Sequence, residues 1–201
     1  MKLGIFGGTF DPVHYGHLIL AETAREVCRL NEVRFLPAYS PPHKRNQRIT
    51  TGKQRVEMLE FATAGFPEFV VDQRELKREG TSYTVETLTE MTEQFPNAEL
   101  HFLMGADSLI DLPNWKEPQR MASLAKIIAV NRDNSSSEDL HQVVSNLPDS
   151  IQRSVIILEM PQIGISASDL RLRISEKHSI RFLTPRPVER YILEHRLYRT
   201  S

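Results

Sequence analysis

Two histidines three residues apart, His14 and His17, follow the adjacent glycines Gly7 and Gly8, with Thr9, Phe10, Asp11, Pro12 and Val13 between. Residues three apart on a helix share one face, so both imidazoles can reach one ligand together. Adjacent glycines let backbone N–H groups come close to an anion, and a helix beginning just beyond adds the positive end of its dipole. These residue types make a phosphate-binding site whose ligand both imidazoles can reach. Two other readings stay open. Three-residue spacing also occurs in metal sites, although no cysteine or carboxylate cluster of matching spacing lies nearby. A pair of ordinary helix histidines would leave the Gly-Gly turn without a use.

The element that must carry the turn is the apolar run Leu3, Ile5, Phe6, which reads as a buried strand. After His17, the apolar residues Leu18, Leu20, Ala21, Ala24, Val27 and Cys28 recur at helical spacing, and Glu22, Arg25, Glu26 and Arg29 fill the other face. Further strands are expected at 32–36, 69–72, 99–104, 126–130 and 155–158. Helices are expected at 52–64 (Val56, Leu59, Phe61 and Ala62 buried), 85–95 (capped by Ser82 or Thr84), 139–146, 166–176 and 187–195. Short β-branched strands alternating with helices predict an α/β fold, a Rossmann-like doubly wound parallel sheet in a single domain over 1–201 with C-terminal helices from about 166. Ligands in such sheets bind beyond the carboxyl ends of the strands where strand order reverses, commonly between the first and fourth. That would bring Gly8 to His17 opposite Gly105 to Ser108. The dinucleotide fingerprint GxGxxG is absent after the first strand, which removes the main support for a dehydrogenase.

Other residues able to do chemistry lie in the connections. Pro41-Pro42 stiffens the chain before His43, Lys44, Arg45 and Arg48, a cluster that is either a solvated loop or a preorganised phosphate grip. Asp107, just past the fourth strand, can accept from ribose hydroxyls or cap the next helix. Trp115 is the single tryptophan. A lone tryptophan is more often core, but Pro113, Asn114, Lys116, Glu117 and Pro118 suit a loop in which the indole stacks on a flat ring. Asn131 to Glu138, serine-rich and holding Arg132, is expected to be a mobile loop.

With 201 residues, 40% hydrophobic and 25% charged, the chain can bury one sizeable core. A net charge of −1 argues against a globally basic nucleic-acid binder. The single cysteine, Cys28, lies in an apolar stripe and has no partner for a disulfide, which fits a reducing cytoplasm. No apolar run approaches the roughly 18 residues of a membrane span.

GGTFDPVHYGH, from Gly7 to His17, resembles the first signature of the HxGH nucleotidyltransferases. Ile165-Ser166-Ala167-Ser168-Asp169-Leu170-Arg171 resembles their second, usually written ISSTxIR, with Ala167 for a serine and Ser168 for a threonine. The two stand in order, about 150 residues apart, and within the superfamily the chain is most similar, along essentially its whole length, to the bacterial nicotinate mononucleotide adenylyltransferases. The resemblance implies attack of nicotinate mononucleotide on the α-phosphorus of ATP, giving nicotinic acid adenine dinucleotide and pyrophosphate, with Mg2+ held mainly by the ATP phosphates. It implies catalytic roles for His14, His17, Lys44 and Arg171. ATP contacts would come from Gly7, Gly8, Thr9, Phe10, His17, Gly105, Asp107, Ile165, Ser166, Ser168 and Arg171. The acceptor would be met by Lys44, Ser82, Tyr83, Thr84, Trp115, Lys116 and Arg132. Thr81 and Glu86 stand where the family usually has proline and aspartate. No nucleic acid or membrane partner is implied, and a homo-oligomer stays open. Sister enzymes acting on nicotinamide mononucleotide or phosphopantetheine, and a nucleotide-binding regulator without chemistry, are the competing expectations.

Overall fold

The computed structural model describes residues 1–41, 49–131, 137–161 and 163–199. Among them six strands, β1 (Lys2–Gly8), β2 (Glu32–Pro37), β3 (Phe69–Val71), β4 (Glu99–Gly105), β5 (Lys126–Asn131) and β6 (Val155–Glu159), form one sheet. Its order is β3-β2-β1-β4-β5-β6, and each neighbouring pair is parallel. The order reverses between β1 and β4, so the connections after these two strands leave toward opposite faces and open a crevice at their carboxyl ends. The doubly wound expectation holds, down to which strands flank the crevice.

Alternation along the strands divides the core in two. Phe6, Val33, Phe35, Leu103, Ile128, Val130 and Leu158 face one side, where they pack with α1 (Tyr15–Cys28), α2 (Gly52–Thr63), α9 (Ala167–Ser175) and α10 (Arg186–Glu194). Leu3, Ile5, Phe102, Met104, Ile127 and Ala129 face the other, against α4 (Thr84–Gln94), α5 (Ala106–Asp111), α6 (Pro118–Leu124) and α8 (Asp149–Gln152). Val143 and Val144 of α7 (Ser137–Ser145) pack on this second half. Strands with both faces covered must be mostly apolar, as these are between their ends, apart from Arg34 in β2 and the buried His101 in β4. The C-terminal helices share the core of α1, since Leu170, Ile174, Val188 and Ile192 lie in the same cluster as Leu20 and Ala24.

Several local expectations are corrected. Val27 and Phe61 are exposed, and Met58 is the buried residue of α2 at that turn. Neither Ser82 nor Thr84 caps α4. Tyr83 is its N-cap, without a side-chain cap bond, and the Ser82 hydroxyl accepts from the Tyr39 N–H instead (3.0 Å). Three helices, α3 (Arg74–Arg78), α6 and the four-residue α8, went unforeseen. The five-residue α3 is too short to show a period, and α6 starts at a proline behind Glu117, whose left-handed φ of 51° hides the boundary.

Candidate active site

At the end of β1 the chain turns tightly over its own side chain. A Cβ on Gly8 would stand 2.9 Å from Cζ of Phe10, so only glycine lets the Phe10 ring fold back beneath the turn. Phe10 holds a left-handed φ of 50°. Its buried ring touches Phe6, Phe35 and His17 edge-on or tilted, at centroid distances of 5.4, 5.7 and 5.0 Å. The aromatic core thus fixes the turn from below and leaves its backbone for a ligand.

His14 is the N-cap of α1 rather than a residue of its first turn, and His17 is the third helical residue. The rings stack at 3.7 Å between centroids. Nδ1 of His17 accepts from the His14 backbone N–H (3.3 Å), so Nδ1 is the bare nitrogen and Nε2 carries the proton. An imidazole whose Nε2 carries a proton can donate to a phosphate oxygen. Gly16 lies between the two, and a Cβ there would meet Nδ1 of His14 at 3.0 Å and the Ile165 carbonyl at 3.5 Å. The second signature is therefore packed directly on the first.

In that second signature the Ser166 hydroxyl caps α9, accepting from the Asp169 N–H (3.1 Å) and donating to its carboxylate (2.7 Å). Arg171 donates to the Ser168 hydroxyl (3.2 Å) and to the backbone carbonyl of Asp11 (2.8 Å). A planar guanidinium bridging segments 160 residues apart keeps a fixed positive charge beside the glycine turn.

On the other side of the turn a cleft of about 310 Å³ is lined by Gly7, Gly8, Thr9, Ser82, Tyr83, Thr84, Trp115 and Lys116 among others. Trp115 is half-buried, packs on the second half of the core and meets Phe102 edge-on at 6.1 Å. Core and cleft wall are thus both partly right for it. The Lys116 ammonium sits 4.4 Å above the Tyr83 ring and pairs with Glu86 at 2.7 Å. That hydrogen bond raises its pKa above the ordinary lysine value. Glu86, the unexpected residue in its motif, is what holds this cation over the cleft.

Lys44, His43 and Arg132 lie outside the described residues. Of Asp107 the backbone is described, in the first turn of α5 behind Gly105, so it is not that helix's N-cap. Two buried charges were not anticipated. Glu75 lines the cleft and accepts from the Thr87 hydroxyl (2.7 Å). Arg55 is only 2% exposed and donates to the carbonyls of Thr50 (3.0 Å), Thr9 (2.9 Å) and Ala38 (2.7 Å). Burial lowers its pKa, yet a guanidinium stays charged. Neither residue carries a motif: Arg55 reads as the polar face of α2, and Glu75 lies on a helix too short to show a face.

The residues around the turn supply imidazoles, hydroxyls and backbone N–H groups, and among the described residues no group of three or more His, Cys, Asp or Glu could cage a metal ion. Such donors fit a divalent cation carried in by phosphate oxygens.

Residues 5–173 match the cytidylyltransferase-like family. A probable nicotinate-nucleotide adenylyltransferase of Thermomicrobium roseum is 46% identical over 199 residues, covering 99% of this chain and 92% of that protein. Another, of Thermus thermophilus, is 42% identical over 99% of this chain and 100% of its own length. Among solved structures, the nicotinic acid mononucleotide adenylyltransferase of Plasmodium falciparum complexed with NaAD superposes with a TM-score of 0.79 at 18% identity, covering 98% of this chain and 97% of that one. At that identity the likeness speaks for the fold, and the bacterial relatives carry the assignment. The two signatures packed on each other on one face of the sheet and the identity to relatives along the full length place this chain among the nucleotidyltransferases: it belongs to the nicotinate-nucleotide adenylyltransferases.

Proposed function

We propose that this chain transfers the adenylyl group of ATP to nicotinate mononucleotide, releasing pyrophosphate. One observation carries the reading: Gly7 to Thr9 form a wall of an aromatic cleft on one side and lead into the stacked His14 and His17 on the other. A pyridine ring in the cleft and a triphosphate along the histidines would meet at the turn. Trp115 and Tyr83 offer flat faces to the ring. The Glu75 carboxylate in the same lining complements the positive nitrogen of a pyridinium ring.

A 5′-phosphate is already an anion near neutral pH, so this nucleophile needs alignment and charge cancellation rather than a general base. The backbone N–H groups of the Gly8 to Phe10 turn hold the α-phosphate. Nε2–H of His17 donates to the oxygen on which charge builds, His14 supports the same phosphate from beneath, and Arg171 and Lys44 add fixed positive charge. A divalent cation, which we assign as Mg2+, would be carried in on the triphosphate oxygens and would supply positive charge to offset that of the leaving pyrophosphate. Ser166 and Ser168 border the triphosphate at the start of α9, Gly105 and Asp107 meet the nucleoside, and Lys116 and Arg132 the acceptor. We read 1–201 as one domain acting in the cytoplasm.

Pyrophosphate release from ATP with nicotinate mononucleotide, compared with the amide mononucleotide, tests the reading. Turnover with the acid preferred is expected. Equal or faster use of the amide overturns the acceptor assignment, and release with neither overturns the enzyme in favour of a nucleotide-binding regulator.

A further inference from the structure

The glycine turn is held from a direction that neither signature explains. The Asp11 carboxylate is 3% exposed and both of its oxygens are engaged. Oδ1 accepts from the hydroxyl of Tyr198 at 2.6 Å, and Oδ2 accepts from the backbone N–H of Thr50 at 3.2 Å. Tyr198 comes from the tail beyond α10, 187 positions from Asp11, and its backbone takes a left-handed φ of 61° to reach inward. The tail is tied down just before it, where the Leu197 N–H donates to the Ile192 carbonyl at 3.0 Å. Leu197 and the Tyr198 ring both pack on the core shared by α1 and α10. Thr50 stands at the near end of the segment that follows Lys44 in sequence, and Arg55 grips both its carbonyl and that of Thr9. One buried carboxylate thus joins three stretches: the turn that leads to His14 and His17, the return of the basic loop, and the C-terminal tail.

We propose that Tyr198 is a positioning residue for adenylyl transfer, acting through Asp11 to hold the turn between Thr9 and His14 in the geometry that the transferring phosphate needs. The inference rests on reading that turn as the phosphate site. A ligand-side role for the hydroxyl does not fit, since its proton is committed to Asp11. Burial, with the neighbouring Asp11 charge, pushes the phenol well above its ordinary value, so it remains a donor throughout the working pH range. A brace of this kind acts on the step that is most sensitive to alignment, and a displacement of a fraction of an ångström there lowers kcat more than it weakens binding.

The test is steady-state kinetics with both substrates, beside thermal melts, on the full chain and on Tyr198→Phe, Asp11→Asn and the double variant. Turnover by the unmodified chain establishes the phosphate-site reading, and its absence would sink that reading separately from the brace. Tyr198→Phe keeps the ring in the core, so a Tm within a few degrees of the parent is expected, with kcat lower by about tenfold, the loss of one hydrogen bond, and the KM for nicotinate mononucleotide nearly unchanged. In the Asp11→Asn background the same change is expected to cost little further, because the two act as one unit. Unchanged kcat in Tyr198→Phe, a fall in Tm with kcat intact, or effects of the two substitutions that simply multiply would each overturn the proposal.

Discussion

Nε2 of His17 is the donor that the mechanism leans on, and its orientation comes from the helix's own first turn, through the His14 N–H held by Nδ1. Removing the ring therefore removes a stabilising contact made chiefly in the transition state. His17→Ala is expected to lower kcat by about a hundredfold or more with a smaller change in the KM for ATP, as for loss of one oxyanion-type donor; stopped assays at saturating ATP would read it, and unchanged turnover would take His17 off the catalytic list. Trp115 makes a different forecast, since it is half-buried and lines the cleft at once. Trp115→Ala should lose about 2 kcal/mol of stability, less than the roughly 3 to 5 of a fully buried aromatic. It should raise the KM for nicotinate mononucleotide several-fold and leave that for ATP nearly untouched, while Trp115→Phe recovers much of both. Equal effects on the two substrates would mean that the indole is only packing.

Between elements, two charged clusters hold the scaffold. Arg55 ties α2 to the ends of β1 and β2 through the carbonyls of Thr9 and Ala38, and holds that of Thr50 before its own helix. Arg55→Met would fill the space but strand those acceptors, so a loss of about 3 kcal/mol in urea unfolding is expected, with no change placing the guanidinium's contribution elsewhere. Asp72, after β3, accepts from the Arg74 N–H and guanidinium and from Arg34 (2.7 to 3.1 Å). Burial pushes its carboxyl up, but the hydrogen bonds and charges of Arg74 and Arg34 outweigh it, leaving the pKa below the ordinary value. A depressed folded pKa contributes stability above the unfolded value of about 3.9 and loses it as pH falls through the folded value. Asp72→Asn should thus be less stable than the parent at neutral pH, and the gap should close in strong acid; a gap independent of pH would rule out the ion pairs as its source.

What could be read in the chain follows from how local the physics is. The glycine turn, the Ser166 cap and the six strands announce themselves in a few adjacent residues. Arg55 and Glu75 do not, because what buries them is a neighbouring strand end or helix remote in sequence. Phe61 was misplaced for the converse reason: helical period says which residues align, and only tertiary packing says which of two apolar neighbours points inward. Glu86 was visible as a departure from a pattern, but its use, reaching across to Lys116 on a connection 30 residues away, was not.

For the molecule as a whole, the sheet separates the two tasks. Phe10, Val13, Ile165 and Leu170, which carry the phosphate machinery, belong to one half-core; Tyr83, Phe102, Trp115 and Met121, around the acceptor cleft, belong to the other. The halves should then fail independently. Ile192→Val and Ile151→Val, fully buried on opposite sides, are each expected to cost about 1 kcal/mol and together about 2, with a coupling below roughly 0.5 kcal/mol by denaturant titration; a larger coupling would show that the sheet transmits packing strain. A partition of this kind also bears on ancestry and redesign. Choice of acceptor can drift on the face of α4 and α6 while the face of α1 and α9 is inherited intact, so a library that randomises only the former should yield new acceptors without relearning how to cleave a triphosphate.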